Sequence, residues 1–403
     1  MTTTLTRTTQ IGFKLETTEG TPETLSAGDF AGNFKDDKHT LQVGEYDRAL
    51  KRGSLSEEQK IRTARMESIT FTCELVGGGA ATETKWQEVL RGMGFKKTQL
   101  KVMTLGSVTD GPFVCGTRIG NNATEGSATK TGTAVVQLAT SPAKLVYVPG
   151  TGAFADTDTV YSYGVSPQVS APVDSAPSNA GYEFAPMSEN SSQTPPSATL
   201  ERREGGLAHT ITAARGKGSL SFRMNEVPLL SAEFQGCPVL EDGNPPAGAE
   251  VTSIPVLGGV PLACKGMPIA IAGVTPVLTQ IEISLDNTLA MRGTIANNDT
   301  QDSGYVGARI TGRAVTMTLD PEKDVSGSLE VEAKTVLGTT FPVIIDHGDA
   351  DHANGRTIVY GAAAQLQGDS TSDDRDGIVT NQLTAKFTGT ADDEIRIYSV
   401  FVP

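Results

Sequence analysis

The chain has 403 residues, enough for two or three domains with cores of their own, and its 37% apolar content with 44 Gly and 21 Pro suits short strands and turns rather than long helices. A formal charge of −14 excludes tight sequestration of nucleic acid, which Lys and Arg drive by displacing counterions, but it permits a surface that DNA slides past. No run approaches the ~20 apolar residues of a membrane helix, and the N-terminus lacks the apolar core of a signal peptide. Cys73, Cys115, Cys237 and Cys264 have neither zinc-ligand nor disulfide-framework spacing and read as separate reduced thiols in a cytoplasmically folded protein.

Residues 1–60 are polar and read as an extended, irregular N-terminal arm. From Ser68 the chain alternates, with Ile69, Phe71, Cys73 and Leu75 on one face and Thr70, Thr72 and Glu74 on the other, which predicts a strand with one buried face. A glycine-rich turn follows, then a helix capped by Thr82, whose Trp86, Val89, Leu90 and Met93 form one apolar stripe closed by Gly92 and Gly94. Trp86 on that stripe is expected in the core. Between residues 100 and 200, TAVVQLAT, AKLVYVPG and DTVYSYGV predict a small all-β domain of the sandwich kind, and its Pro- and Ser-rich last 30 residues read equally as linker. HTITAARGKGSLSFRM and PLLSAEFQG then predict a hairpin. Residues 240–275 read as a connection, part of it a strand.

The remainder repeats the beginning. Ile69–Phe95 aligns without gaps on Val315–Phe341, 246 positions later, with Val315, Met317 and Leu319 in the strand. The second helix is expected from about Ser328 to Gly338, with Leu329, Ala333, Val336 and Leu337 on a shifted stripe. Thr210-Ile211 and Ser231–Gly236 match Thr357-Ile358 and Thr384–Gly389, so the first copy carries about 99 extra residues. The expected organisation is a first unit in 1–100 completed by a hairpin in 201–240, an inserted β-rich decoration in 101–200, a linker in 241–275 and a second unit in 276–403. A unit repeated within a chain points to a symmetric assembly.

The pieces GFKLETTEGTPE, ESITFTCELVGGG with TKWQEVLRGMGF, TAARGKGSLSFRMNEVPLLSAEFQG, SGYVGARITGRAVTMTLDPE and TAKFTGTADDEIRI together resemble the major tail tube proteins of long-tailed bacteriophages with non-contractile tails. The resemblance implies a mainly β fold in which duplicated sandwich or barrel units, each with a short helix, join their sheets between subunits, with the inserted all-β domain outside. It implies rings stacked into a tube through which the genome passes: three chains forming a pseudo-hexameric ring, or alternatively six chains. The implied partners are tape-measure, tail-terminator and distal tail proteins, with DNA in the lumen but not specifically bound. The implied location is the virion tail, assembled in the host cytoplasm. Strands with one apolar and one Ser/Thr/Asp-rich face suit a channel wall, expected to be polar and weakly basic. The alternatives are a virion decoration or baseplate protein on the same fold, and a carbohydrate-binding or metallo-hydrolytic β-protein.

Candidates for contacts between rings are Glu16, Glu19, Arg48, Lys51 and Arg52 and, in DSTSDDRDG, Asp369, Asp373, Asp374 and Arg375. The latter segment lacks the ligand order of a calcium loop and reads as a hairpin tip. Removing residues 2–30 is expected to leave a folded subunit that does not polymerise. Arg202, Arg203, Arg215, Lys217 and Arg223 are the densest basic stretch, expected to pair with acidic groups of neighbouring subunits. GARITG and AARGKGS lack the context of phosphate-binding loops and read as turns. The best enzyme-like string is Asp346, His347, Asp349, Asp351 and His352 after the apolar FPVII, whose spacing is like the first half of a metallo-hydrolase motif. The central His of such a motif is missing and neither His39 nor His209 has a partner pattern, so a polar loop is the preferred reading. No cofactor, metal or catalytic activity is expected.

Overall fold

Alternating apolar and polar residues make strands wherever one face can be buried, and this chain does so along most of its length. The computed structural model describes residues 9–48, 59–77, 83–138, 142–190, 193–255, 261–296, 298–323, 329–348, 355–368 and 371–401. It is a mainly β protein, 55% strand, with two short helices and a large antiparallel sheet. Among the described residues no helix is long and apolar enough to cross a membrane.

Strand β1 (Gln10–Leu15) precedes a long hairpin of β2 (Phe34–Tyr46) and β3 (Ile61–Glu74), then helix α1 (Lys85–Gly92) and β4 (Phe95–Thr104). Five short strands follow: β5 (Arg118–Gly120), β6 (Thr131–Leu138), β7 (Lys144–Pro149), β8 (Thr159–Tyr163) and β9 (Ser170–Pro172). Next come β10 (Ser178–Pro186), β11 (Ala198–Glu204), β12 (Leu207–Arg223), β13 (Leu229–Val239) and the short β14 (Ile269–Ile271). The last third holds the hairpin β15 (Gln280–Gly293) and β16 (Tyr305–Leu319), helix α2 (Val331–Leu337), β17 (Thr340–Gly348), β18 (Arg356–Leu366), β19 (Thr371–Arg375), β20 (Ile378–Phe387) and β21 (Arg396–Val400).

One continuous run orders β2–β3–β13–β12–β15–β16–β20, with β18 and β19 following one another along the far side of β20. A second run, β7–β4–β10–β21–β18–β17–β14, crosses from the first third of the chain to the last. Between them lies one large core that includes Phe71, Trp86, Phe184, Phe234, Ile283 and Met317. Trp86 is 2% exposed and its Nε1 donates to the Val76 carbonyl at 2.8 Å, so the indole is a core residue.

Segments 246 positions apart fold alike. The hairpins begin at Phe34 and Gln280 and the helices at Lys85 and Val331. The pairings His39↔Ile69 and Thr40↔Ser68 in the first hairpin recur as Leu285↔Val315 and Asp286↔Ala314 in the second. Leu230↔Cys73, which joins β13 to β3, recurs as Leu383↔Leu319 between β20 and β16.

Several expectations need correction. The N-terminal segment is not a free arm: β1 pairs with β11 and buries Ile11 and Phe13, so removing residues 2–30 would take a strand out of the core. The α1 cap is Thr84, in a capping box with Gln87, two residues later than expected; Thr82 lies outside the described residues. Helix α2 ends at Gly338 as expected, in the left-handed conformation that glycine favours, but it buries only Val331 and leaves Val336 and Leu337 in solvent. The inserted strands have their own core, built around Leu105, Phe113, Ile119, Tyr147, Phe154 and Val160. That core ends by Val173, and residues 178–200 return to the main sheet as β10 and the start of β11.

Candidate assembly edges

The two halves of the chain meet in an antiparallel strand pair. Gly218 to Arg223 of β12 face Leu285 to Gln280 of β15 in unbroken register, with Ser219 opposite Ser284 and Ser221 opposite Glu282. Leu220, Phe222, Ile281 and Ile283 enter the core, while the intervening residues form a wet face. On its other side β12 lies close to β13: a Cβ on Gly218 would stand 2.0 Å from the Ser231 carbonyl oxygen.

The wet face continues across the run through Thr70 and Thr72 on β3, Ser231 and Glu233 on β13, Thr316 and Thr318 on β16 and Thr384 and Lys386 on β20. It is not weakly basic. Glu233, Glu282 and Asp286 stand among the lysines, with Lys217 Nζ 3.6 Å from Glu233 Oε2, so the face carries both signs in a Ser/Thr background.

Among the described residues, β2 pairs only with β3 and β19 only with β20. By the equivalence of the two halves, β2 corresponds to β15. Strands β18 and β19 together correspond to β12, because Leu366 faces Ala385 as Gly218 faces Ala232, and Thr371 faces Gln382 as Ser221 faces Leu229. The chain thus carries at its two ends the two kinds of strand that pair in its middle.

A polar knot locks the middle pair. Glu19 Oε1 accepts from Arg215 NH1 at 3.2 Å and Arg309 NH1 at 2.7 Å, tying the segment after β1 to β12 and β16. Asn287 on β15, 3% exposed, donates from Nδ2 to the Met93 carbonyl at 2.7 Å and the Gly216 carbonyl at 2.8 Å. The other expected inter-ring acid on this segment, Glu16, accepts from Ser197 Oγ at 2.6 Å and Ala213 N at 2.8 Å. Both carboxylates therefore serve contacts inside the chain. Arg48 is half-buried near the hairpin end, while Lys51, Arg52 and Asp369 lie outside the described residues.

DSTSDDRDG is not simply a hairpin tip: residues 371–375 form β19, with the turn at 376–377. Asp373 and Asp374 are exposed, and Asp374 Oδ1 accepts from Gly377 N at 3.0 Å. Arg375 turns inward and donates to Asp320 Oδ2 at 2.8 Å and Glu322 Oε1 at 2.6 Å. Burial alone would push the Asp320 carboxyl up, but the Thr279 hydroxyl, the Gln280 and Thr279 N–H groups and Arg375 outweigh it and hold it below its ordinary value. Its contribution is therefore present above the unfolded-state pKa and lost as pH falls through the lower folded one. Asp320→Asn is expected to cost about 2–3 kcal/mol near neutral pH, and the gap to wild type should close below about pH 4. Urea unfolding of both proteins across pH checks this, a pH-independent gap being the contrary result.

The basic stretch is also paired within the chain: Arg202 with Asp37 and Glu204, Arg203 with Glu201, and Arg215 with Glu19. The acids come from β11 itself (Glu201, Glu204), from β2 (Asp37) and from the segment after β1 (Glu19). Asp346 is gripped by Arg356 through both carboxylate oxygens, and His347, buried, has Nε2 3.0 Å from the Leu262 carbonyl oxygen. These neighbours on one strand turn to opposite faces, and Asp349, Asp351 and His352 lie outside the described residues. The structure instead brings His39 and His209 together, a meeting that their separation in sequence does not announce. One signal was available: His39 occupies the position at which the second copy has the core residue Leu285.

No protein-family model and no curated protein matches the chain.

Proposed function

We propose that this chain is the tube-forming subunit of a long, non-contractile bacteriophage tail, a structural protein whose duplicated units stack as rings around a channel for genome delivery. The observation that carries the reading is the β12·β15 pair together with the matching strands left at both ends. Such a head-to-tail contact closes into a ring when repeated by rotation. Two units per chain favour three chains in a pseudo-hexameric ring. Each contributes an eight-strand run, giving a barrel of roughly two dozen strands, well beyond the size at which barrels enclose water. Closure also removes both free edges.

Leu41 on β2 supports the same joint. It is 43% exposed, whereas its counterpart Asn287 is 3% exposed because the central pair covers it. The Ser/Thr face with mixed charge would line the lumen and offer phosphates no continuous stripe of cations. The inserted β-domain, attached through β7 to β4, would decorate the outside. Tape-measure, tail-terminator and distal tail proteins would be its partners in a virion assembled in the host cytoplasm.

By the same equivalence Lys38 of one chain would stand opposite Gln367 of the next, as Ser284 lies opposite Ser219. Oxidation of a chain carrying K38C and Q367C should link chains into reducible dimers and closed trimers, while S219C with S284C should link only within a chain. Electron microscopy should show tubes of threefold symmetry. Tubes without the chain-to-chain link would refute this edge pairing, and a persistent monomer would refute the tube.

A further inference from the structure

His39 on β2 and His209 on β12 stack with ring centroids 3.9 Å apart and 27° between planes. Glu204, at the end of β11, places Oε1 3.5 Å from His209 Nε2. One potential ligand atom from each of the three residues lies within 4.8 Å of the other two. Zinc bonded at about 2.0–2.1 Å holds tetrahedral ligand atoms about 3.4 Å apart, so small side-chain rotations complete the geometry. We propose that His39, His209 and Glu204 bind one divalent transition-metal ion, zinc by preference, and that Glu67 is the positioning residue that orients His209 for it.

Glu67 supplies the independent observation. It is 2% exposed, its Oε1 has no hydrogen-bond partner, and that oxygen lies 3.8 Å from His209 Nδ1. A buried carboxylate oxygen without a donor is costly, and the imidazole nitrogen facing it is His209 Nδ1. In the tautomer that places a proton there, His209 Nε2 and Glu204 Oε1 turn lone pairs towards each other, and a cation between them resolves the conflict. A carboxylate behind a ligating histidine is the usual support of such a ligand.

The charge balance points the same way. Glu67, Glu204 and Asp37 surround a single guanidinium, Arg202, which lies 2.5 Å from both Asp37 Oδ2 and Glu204 Oε2. Asp37 and Glu204 outnumber it, so at least one negative charge is left over for a cation to neutralise. Arg202 NH1 also stands 3.3 Å from His39 Nδ1, a lone pair the metal takes over while Arg202 keeps Asp37. Two imidazoles and a carboxylate suit zinc rather than calcium or magnesium.

The second half has no such site, since Leu285 replaces His39 and Arg313, paired with Glu394 at 2.9 Å, replaces Glu67. The expected stoichiometry is one ion per chain, clipping the edge strand β2 to the β11–β12 hairpin.

The test uses the full chain, stripped with chelator and titrated with zinc by calorimetry and with cobalt by visible absorption. One equivalent should bind, with cobalt bands of a four- or five-coordinate site. His39→Ala and His209→Ala should each weaken zinc binding at least about 100-fold, and Glu67→Gln about 10–100-fold. Because Glu67→Gln removes an unpartnered carboxylate, the metal-free variant should unfold at the same temperature as wild type or higher, a combination that a merely structural role would not produce. Should an alanine variant fail to fold, His39→Gln serves in its place, and the wild-type cobalt spectrum stands alone. Absence of one-equivalent binding, or binding undiminished in the histidine variants, overturns the site. Unchanged affinity in Glu67→Gln overturns the positioning role.

Discussion

Replacing Arg215 by methionine is expected to lower the unfolding free energy by about 3–5 kcal/mol, the cost of breaking a buried ion pair from one side. Arg215 is 1% exposed, and its guanidinium reaches three parts of the chain at once. It donates from NH2 to the Pro195 carbonyl at 2.9 Å, from NH1 to the Ala308 carbonyl, and from NH1 to Glu19. Methionine fills similar volume without a donor, so two carbonyls lose partners and Glu19 keeps only Arg309. Lysine should restore less than half of the loss, since one ammonium cannot reproduce the planar fork. Urea denaturation followed by circular dichroism reads the change, and an unaltered midpoint in Arg215→Met would show that the knot does not hold the halves together.

Asn287→Leu is expected to cost about 2–4 kcal/mol, because the Met93 and Gly216 carbonyls would be left buried and unsatisfied. The effect should couple with that of Arg215→Met, since Gly216 directly follows Arg215 on β12. A double variant whose loss equals the sum of the two single losses would contradict a shared network. Limited proteolysis offers a second readout, as loosening this knot should expose the connection between β13 and β15 before other segments.

The strands legible in the sequence are those buried on one face. Phe71 and Cys73 alternating with Thr70 and Thr72, and Leu230, Ala232 and Phe234 alternating with Ser231 and Glu233, produce a period of two that needs no tertiary information. Strand β2 escapes that signal. Its FKDDKHTLQVGEY lies at an edge, interrupted by a bulge between Lys35 and Lys38, so few positions are buried on either side. Strand β1 is short, and its partner β11 lies almost 190 residues away, so nothing local shows that Ile11 and Phe13 enter a core. The ion pairs of Arg202, Arg215 and Arg375 were hidden for the same reason: sequence shows the surplus of acids, while strand order decides which acid each arginine meets. The histidine pair is the sharpest case, because the two hairpins that carry it are far apart in sequence and are brought together only through β13.

In the proposed ring, the pairing of β12 with β15 would bear on assembly kinetics. It forms while the chain folds, at a rate that does not depend on how many other copies are present. For a ring of three chains, half of the lateral contacts would then be first-order events, and nucleation would scale with roughly the third power of subunit concentration rather than the sixth. Rings would begin to form at lower expression levels, and assembly would pass through one partial ring in place of four.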